Sequence, residues 1–236
     1  MNAHAKQVVA AFDVDGTLTK GESLLHFLRA ALGTWPLASR VGITLARLGT
    51  GRAHRSRDSA KRELLARTLA GRACVPIERA GVLFANHLAT HRLLPDAASA
   101  LSRHQSAGHA TVLVSASPGI YIHAFGRLLG VDAVLCTELE VSHDDHFTGS
   151  LLGANMRGLT KVRALNEWLD SRSMPLCHTT LYAYGDSSGD NELLALAGQY
   201  AHDRRRERRF APEMFEPATP AQPTGATLKH LGKPLA

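Results

Sequence analysis

The apolar positions of this chain change period several times, and each change marks an element. Residues 8–12 (Val-Val-Ala-Ala-Phe) form an unbroken, partly β-branched run, short enough to predict a buried strand. From Glu22 to about Leu48 the apolar residues take helical spacing. They are Leu24, Leu25, Phe27, Leu28, Ala31 and Leu32, then Val41, Ile43, Leu45 and Leu48, with a break over 33–36. A basic, polar stretch covers 51–62, and helical spacing resumes over 61–70 and 76–90. The pattern predicts a helical insert over 20–94, either a packed subdomain or a lid that closes over a pocket and excludes water.

The α/β pattern returns near Pro95. Residues 96–106 predict a helix, 110–114 (Ala-Thr-Val-Leu-Val) a second buried strand, 115–119 a loop, 120–129 a helix and 133–136 a third strand, together a βαβ unit. Residues 138–152, polar at His143, Asp144, Asp145 and His146 and carrying Gly149, predict a β-hairpin. A helix opening at 158 and running to about 169, a strand over 179–184, a turn over 185–190 and a helix over 191–197 complete the pattern. Strands alternating with helices predict an α/β fold, with a core over 1–19 and 95–203. Beyond Tyr200 come Arg204, Arg205, Arg206, Arg208 and Arg209, then Pro212, Pro217, Pro220 and Pro223. This predicts an extended, mobile tail over 204–236.

Composition narrows the function classes. The 236 residues are 44% hydrophobic and 20% charged, an ordinary globular balance with room for a sizeable core. A net charge of +6 favours anionic partners without choosing one. There is no helix-turn-helix, zinc-finger or aromatic-rich RNA motif, so no nucleic-acid partner is expected. Cys74, Cys136 and Cys177 are odd in number and far apart, which predicts buried thiols in a reducing compartment. No signal peptide is read at the N-terminus, and the expected location is the cytoplasm. The segment 32–48 is apolar, but Pro36, Arg40 and Arg47 oppose a transmembrane span. Packing within the insert is the preferred reading, with peripheral membrane contact left open. Oligomeric state is not readable.

The candidate chemistry sits where strands end. Asp13 and Asp15 follow the first strand, one residue apart, and Gly16 permits a sharp turn. In open α/β sheets ligands bind beyond the carboxyl ends of strands, and an extended chain points side chains i and i+2 to one face. Two close carboxylates both stay ionised if a cation sits between them. Hard oxygen donors suit Mg²⁺, although Asp and Gly are also ordinary turn residues. Later loops add Ser115 with neighbouring backbone amides, then Lys161, then Asp186 and Asp190. The set meets the needs of phosphoryl transfer to a carboxylate: a metal and a lysine neutralise phosphate oxygens while hydroxyl and amide donors bind the rest.

These residues carry a resemblance. Asp13-Val14-Asp15-Gly16-Thr17, Leu113-Val114-Ser115, Lys161 and Gly185-Asp186-Ser187-Ser188-Gly189-Asp190, in that order, resemble the motifs of haloacid dehalogenase-superfamily phosphatases. The subfamily is that of phosphoserine phosphatase, and the likeness spans about residues 8–197. It implies a Rossmann-like parallel sheet with helices on both faces and a helical cap over 20–94. It implies a Mg²⁺-dependent phosphatase acting on a phosphate monoester through an aspartyl phosphate. Asp13 resembles the nucleophile and Asp15 the general acid/base. Asp13, Asp15 through its carbonyl, and Asp186 resemble metal ligands, with Asp190 holding a metal-bound water or orienting Lys161. Ser115, the adjoining Ala116 and Lys161 resemble the phosphate clamp. Glu22 stands where phosphoserine phosphatases carry a cap glutamate. Ser115-Ala116-Ser117-Pro118 departs from their Ser-Gly-Gly. The approach Asn155-Met156-Arg157-Gly158 and the apolar insert are similar to a bacterial phosphatidylglycerophosphate phosphatase, in which reading Arg157 contacts a second anionic group. The expected partner is a small-molecule or lipid phosphate monoester.

Other readings compete. Gly185 to Gly189 fits G-x-S-x-G, the nucleophile elbow of serine hydrolases, with Ser187 followed by Asp203 and His230. That reading leaves Asp13, Asp15 and Lys161 idle. His87 and His91 have the spacing of a zinc pair but lack its glutamate. His143 to His146 reads equally as a metal cluster or a polar hairpin tip. A non-catalytic module holding phosphoaspartate would not need Asp15 as an acid/base.

Overall fold

The first apolar run divides between two cores once folded. Val9 and Ala11 join Val112, Val114, Leu165, Leu169, Leu181 and Leu193 on one face of a sheet. Ala10 and Phe12 join Leu113, Phe27, Leu65, Tyr121 and Phe125 on the other. A strand buried on both faces has no polar side, which is why the run reads as continuously apolar. The computed structural model describes residues 7–33 and 57–200. The later part of the first helical run, most of the basic stretch and the Arg- and Pro-rich tail lie outside the described residues.

Five strands form the sheet: β1 (Gln7–Phe12), β2 (Ala110–Pro118), β3 (Ala133–Val141), β4 (Phe147–Leu152) and β5 (Thr179–Tyr184). Their order is β4-β3-β2-β1-β5. β1 is parallel to both β2 and β5, and β2 is parallel to β3. β4 is antiparallel to β3, so the sheet is mixed rather than wholly parallel. The predicted third strand and the first arm of the predicted hairpin are one element. β3 runs nine residues without a break, because ladder pairing continues where the apolar pattern gives way to Thr137 and Glu138. The loop expected over 115–119 is also corrected. β2 runs on to Pro118, with a register shift between Ser115 and Pro118.

Seven α-helices complete the described part: α1 (Leu24–Leu32), α2 (Arg57–Leu69), α3 (Cys74–His87), α4 (Pro95–Ser106), α5 (Gly119–Leu129), α6 (Leu159–Ser171) and α7 (Asn191–Tyr200). A π-helical turn, Leu88–Arg92, extends α3. The insert leaves and rejoins the core at one point: Lys20 N–H donates to Arg92 O (2.9 Å) and Leu94 N–H to Leu18 O (2.8 Å). Its helices pack on α5 through an aromatic cluster, in which Tyr121 lies 4.8 Å from Phe27 and 5.2 Å from Phe84 between ring centroids. The turn after α2 adds to the sheet edge. Gly71 N–H donates to Phe147 O (2.8 Å) and Phe147 N–H to Arg72 O (2.9 Å), so strand β4 is not left as a bare edge. Cys74 and Cys136 are buried as expected, but Cys177 is exposed. Among the described residues no helix is long and apolar enough to cross a membrane.

Two features yield tests. At Gly81 a Cβ would lie 2.4 Å from the Ile120 carbonyl oxygen. The clash is with backbone, so α3 could accommodate a methyl only by moving off α5. Gly81→Ala should therefore destabilise by about 1–3 kcal/mol. At Gly198 in α7 nothing among the described residues lies within 4 Å of the Cβ position, and Gly198→Ala should be neutral or stabilise by up to ~1 kcal/mol. Urea midpoints of the two variants check the contrast.

His104 is buried in α4. Its Nε2 lies 2.8 Å from Tyr184 Oη, and the Tyr184 ring stacks on Phe12 at 4.4 Å. Burial, with His109 and Arg103 nearby, pushes His104 from 6.5 down to about 4. Its folded form is neutral, so the unfolded chain takes up the proton first. This contribution is intact above pH ~6.5 and is lost as pH falls from there toward 4. We expect the urea midpoint to drop between pH 7 and pH 5, and His104→Gln to flatten that drop.

Candidate active site

The site forms where β1, β2 and β5 end and α6 begins. Asp13 follows β1 directly and prolongs its pairing, with its N–H donating to Tyr184 O (2.9 Å). The chain then folds back: Leu18 N–H (3.0 Å) and Thr19 N–H (2.9 Å) both donate to Val14 O. Gly16 at this turn has φ +80°, and a Cβ there would stand 2.2 Å from Asp186 Oδ2. Glycine is required twice over, for the left-handed backbone and for the approach of a carboxylate.

Lys161, in the first turn of α6 and 2% exposed, lies between two acids. Its Nζ donates to Asp13 Oδ1 and to Asp190 Oδ1, each at 2.6 Å. Gly158 N–H donates to Gly189 O (2.9 Å), which stitches the start of α6 to the turn carrying Asp186 and Asp190. Asp190 is fixed further by Ser187, whose N–H (3.0 Å) and hydroxyl (2.6 Å) both donate to Oδ2. Thr17 Oγ1 donates to Asp186 Oδ1 (3.4 Å).

Carboxylate oxygens of Asp13, Asp186 and Asp190 all lie within 4.8 Å of one another. Three acids face one lysine, so the cluster carries excess negative charge in a largely buried place. Burial pushes Asp13 up to about 7; Lys161 opposes the rise, while Asp190 and Asp15 add to it. Burial, then Asp190, also raises Asp186. Such a set is relieved by a hard cation. Asp186 is exposed on the open side, whereas Asp13 and Asp190 are buried. The donors thus fit an oxygen-liganded divalent ion reached from solvent.

The Asp15 carboxylate is not part of that cluster. Its Oδ1 accepts from Ser23 N–H (3.0 Å) and its Oδ2 from the Ser117 hydroxyl (2.5 Å). Burial raises its pKa against these hydrogen bonds, and nearby Glu22 raises it further. Glu22 itself is exposed, just before α1. Ser115 is buried in β2, and its Oγ accepts from Ser117 N–H (3.1 Å). The Ala116 carbonyl accepts from Thr137 Oγ1 (2.7 Å) and from Lys61 Nζ. Arg157 folds over the 185–190 turn, where its Nη2 donates to Ser188 Oγ (2.8 Å).

The structure adds residues that pattern did not single out. Lys61 of α2 reaches the end of β2 and also donates to Asn155 Oδ1 (2.6 Å), while Asn155 Nδ2 donates to Asp58 Oδ1 (2.8 Å). Burial brings Lys61 down to about 8, with Asp58 and Asp15 opposing. Ser23 and Tyr121 hydroxyls lie 2.8 Å apart, and Ser23 and Ser117 hydroxyls 3.3 Å apart. In sequence Lys61 is one cation in a basic stretch and Ser23 one serine before a helix, so neither carried a local signal.

The competing constellations are placed differently. The Ser187 hydroxyl donates its hydrogen bond to Asp190 and serves as a loop brace; Asp203 and His230 lie outside the described residues. His87 and His91 are exposed and stack at 4.9 Å. His143 and His146 sit at the β3–β4 turn, each bonded to Asp144, at 3.2 Å and 2.7 Å.

Comparison with known proteins bears on the family and the fold. The family model of haloacid dehalogenase-like hydrolases matches residues 10–195. Protein CicA of Caulobacter vibrioides is 34% identical over 196 residues, covering 81% of this chain and 84% of its own. Phosphoserine phosphatase SerB1 of Mycobacterium tuberculosis is 28% identical over 194 residues, covering 80% of this chain and 62% of its own. A substrate-bound phosphoserine phosphatase structure superposes with a TM-score of 0.57 at 18% identity, over 83% of this chain and 85% of that one, a likeness of fold. With the family model spanning β1 through α7 and all four motifs inside it, the chain belongs to the haloacid dehalogenase-like hydrolases.

Proposed function

We propose that this hydrolase is a Mg²⁺-dependent phosphatase that cleaves a phosphate monoester through an aspartyl phosphate on Asp13. The observation that carries the reading is the contact of Lys161 with Asp13 and Asp190 inside a three-carboxylate cluster. Asp13, Asp186 and Asp190, with the Asp15 carbonyl, are the candidate Mg²⁺ ligands. Bound there, the ion would offset carboxylate charge and polarise phosphate oxygens.

The chain's own residues account for the remaining steps. Lys161 and the donors around Ser115 and Ala116 bind the transferring phosphoryl group and favour the charge on its oxygens. An Asp13 oxygen attacks phosphorus and the ester P–O bond breaks. Asp15 delivers its proton to the leaving oxygen. Water then attacks the acyl phosphate, Asp15 takes its proton, and Asp13 and inorganic phosphate are released. Burial raises the pKa of Asp15, a direction that favours its role as general acid. Ser23 and Ser117 point that carboxyl, which a phosphoaspartate-holding module would not require.

A phosphoserine-like small substrate is the first reading, supported by SerB1. A lipid phosphate is the second. It is supported by exposed Leu25, Val82 and Leu83 on the cap helices, beside a groove lined by His26, Arg29, Phe84 and His87. A screen of phosphate monoesters with Mg²⁺, including phosphoserine and phosphatidylglycerophosphate, separates them.

For Asp13→Asn we expect an intact fold by circular dichroism and a kcat on p-nitrophenyl phosphate lower by ~10³ or more. A chelator should abolish wild-type turnover, and added Mg²⁺ should restore it. Near-normal turnover by Asp13→Asn would refute the nucleophile. Lys61→Met should lower kcat/KM by about 10–100-fold, because misplacing the Ala116 peptide disturbs the phosphate site. Unchanged kcat/KM in a folded variant would remove Lys61 from the site.

A further inference from the structure

A second group of ligand-type side chains stands beside the first site and takes no part in the proposed reaction. Cys136 and Glu138 lie two residues apart on β3 and so point to the same face. That face is met by His123 from α5. Glu138 Oε1 lies 2.7 Å from His123 Nε2 and 3.1 Å from Cys136 Sγ, and the sulfur lies 3.6 Å from His123 Nε2. The three donors all fall within 4.8 Å of one another. Gly119 leaves the space for this convergence: a Cβ there would stand 2.4 Å from Glu138 Oε2.

We infer that His123, Cys136 and Glu138 form a binding site for a thiophilic divalent transition ion such as Zn²⁺. One sulfur, one imidazole nitrogen and one carboxylate oxygen are the donor types zinc takes, with a fourth position open to water or another ligand. Donors of a tetrahedral zinc stand about 3.2–3.8 Å apart, given bond lengths of roughly 2.0–2.3 Å. The sulfur–nitrogen separation already matches. The contacts to Glu138 need to open by about half an ångström, and the side chains of His123 and Glu138, 43% and 42% exposed, have the freedom to do so. The same exposure gives an ion a path in, while Cys136 is buried behind them.

The chemistry separates this site from the carboxylate cluster. All-oxygen donors select Mg²⁺, and a thiolate selects softer ions. The two sites are nonetheless structurally joined. Cys136 is the β3 partner of Ser115, and Thr137, between the two β3 ligands, holds the Ala116 carbonyl. Occupancy would brace the strand that shapes the phosphate site. In binding, Cys136 loses its thiol proton to solvent and the thiolate bonds the ion, with no change of oxidation state.

The test uses the full chain with Co²⁺ as the probe, in excess Mg²⁺ to occupy oxygen sites. We expect one tightly held Co²⁺ with thiolate-to-cobalt charge-transfer absorption in the near ultraviolet. The band should persist in Cys177→Ser and vanish in Cys136→Ser. His123→Gln and Glu138→Gln, at more exposed positions, should each weaken Co²⁺ affinity roughly tenfold or more. Absence of the thiolate band, or a band and affinity unaltered in these variants, overturns the site. The readout is independent of turnover, so failure here leaves the phosphatase reading standing, and the reverse also holds.

Discussion

The arrangement depends on a lysine ammonium held out of water between two carboxylates. An ammonium as buried as that of Lys161 costs several kcal/mol of lost hydration and persists only when paired at close range. Asp13 and Asp190, both at 2.6 Å, supply the pairing. They come from the end of β1 and the turn after β5, and the lysine comes from the start of α6. Three chain segments, far apart in sequence, are therefore brought to one point by a single electrostatic requirement. The glycines follow from it. Gly158 lets α6 begin against the 185–190 turn, and Gly16 leaves room for Asp186.

The same cluster is not electrically complete. One lysine cannot balance Asp13, Asp186 and Asp190, and burial, with Asp190 and Asp15 adding to it, pushes Asp13 up to about 7 despite Lys161. A site optimised only for stability would replace some of these acids with apolar groups. Retaining them with Asp186 open to solvent is what a cation and an anionic phosphate require. The proposed chemistry and the electrostatic shortfall thus have one origin.

Much of this was legible in the sequence, for a physical reason. Asp13, Asp15, Asp186 and Asp190 sit next to strand ends with turn glycines, and the period of the flanking apolar residues places those ends. Lys161 was legible from its place at a helix start. Less legible was anything set by pairing rather than by period. β2 continues through polar Ser115 and Ser117, and β3 absorbs one arm of the hairpin, because ladder hydrogen bonds do not depend on which side chains they carry. Lys61, Ser23 and Tyr121 were invisible for another reason. Their partners are 55, 94 and 98 residues away, and a lone Lys, Ser or Tyr has no local signature. His123, Cys136 and Glu138 likewise converge only because α5 packs on β3.

The position of Asp15 links these strands of argument. Its two oxygens are divided between Ser23, at the threshold of the cap, and Ser117, in the core strand β2. Ser23 also touches Tyr121, the aromatic on which the cap helices pack. A shift of α1 relative to α5 would take Ser23 with it and release one oxygen of the proposed acid/base. Lys61 adds a second tie from α2 to the phosphate side of the site. In the proposed mechanism the position of the helical insert and proton transfer by Asp15 would share the same hydrogen bonds, so the insert would help orient the reacting groups.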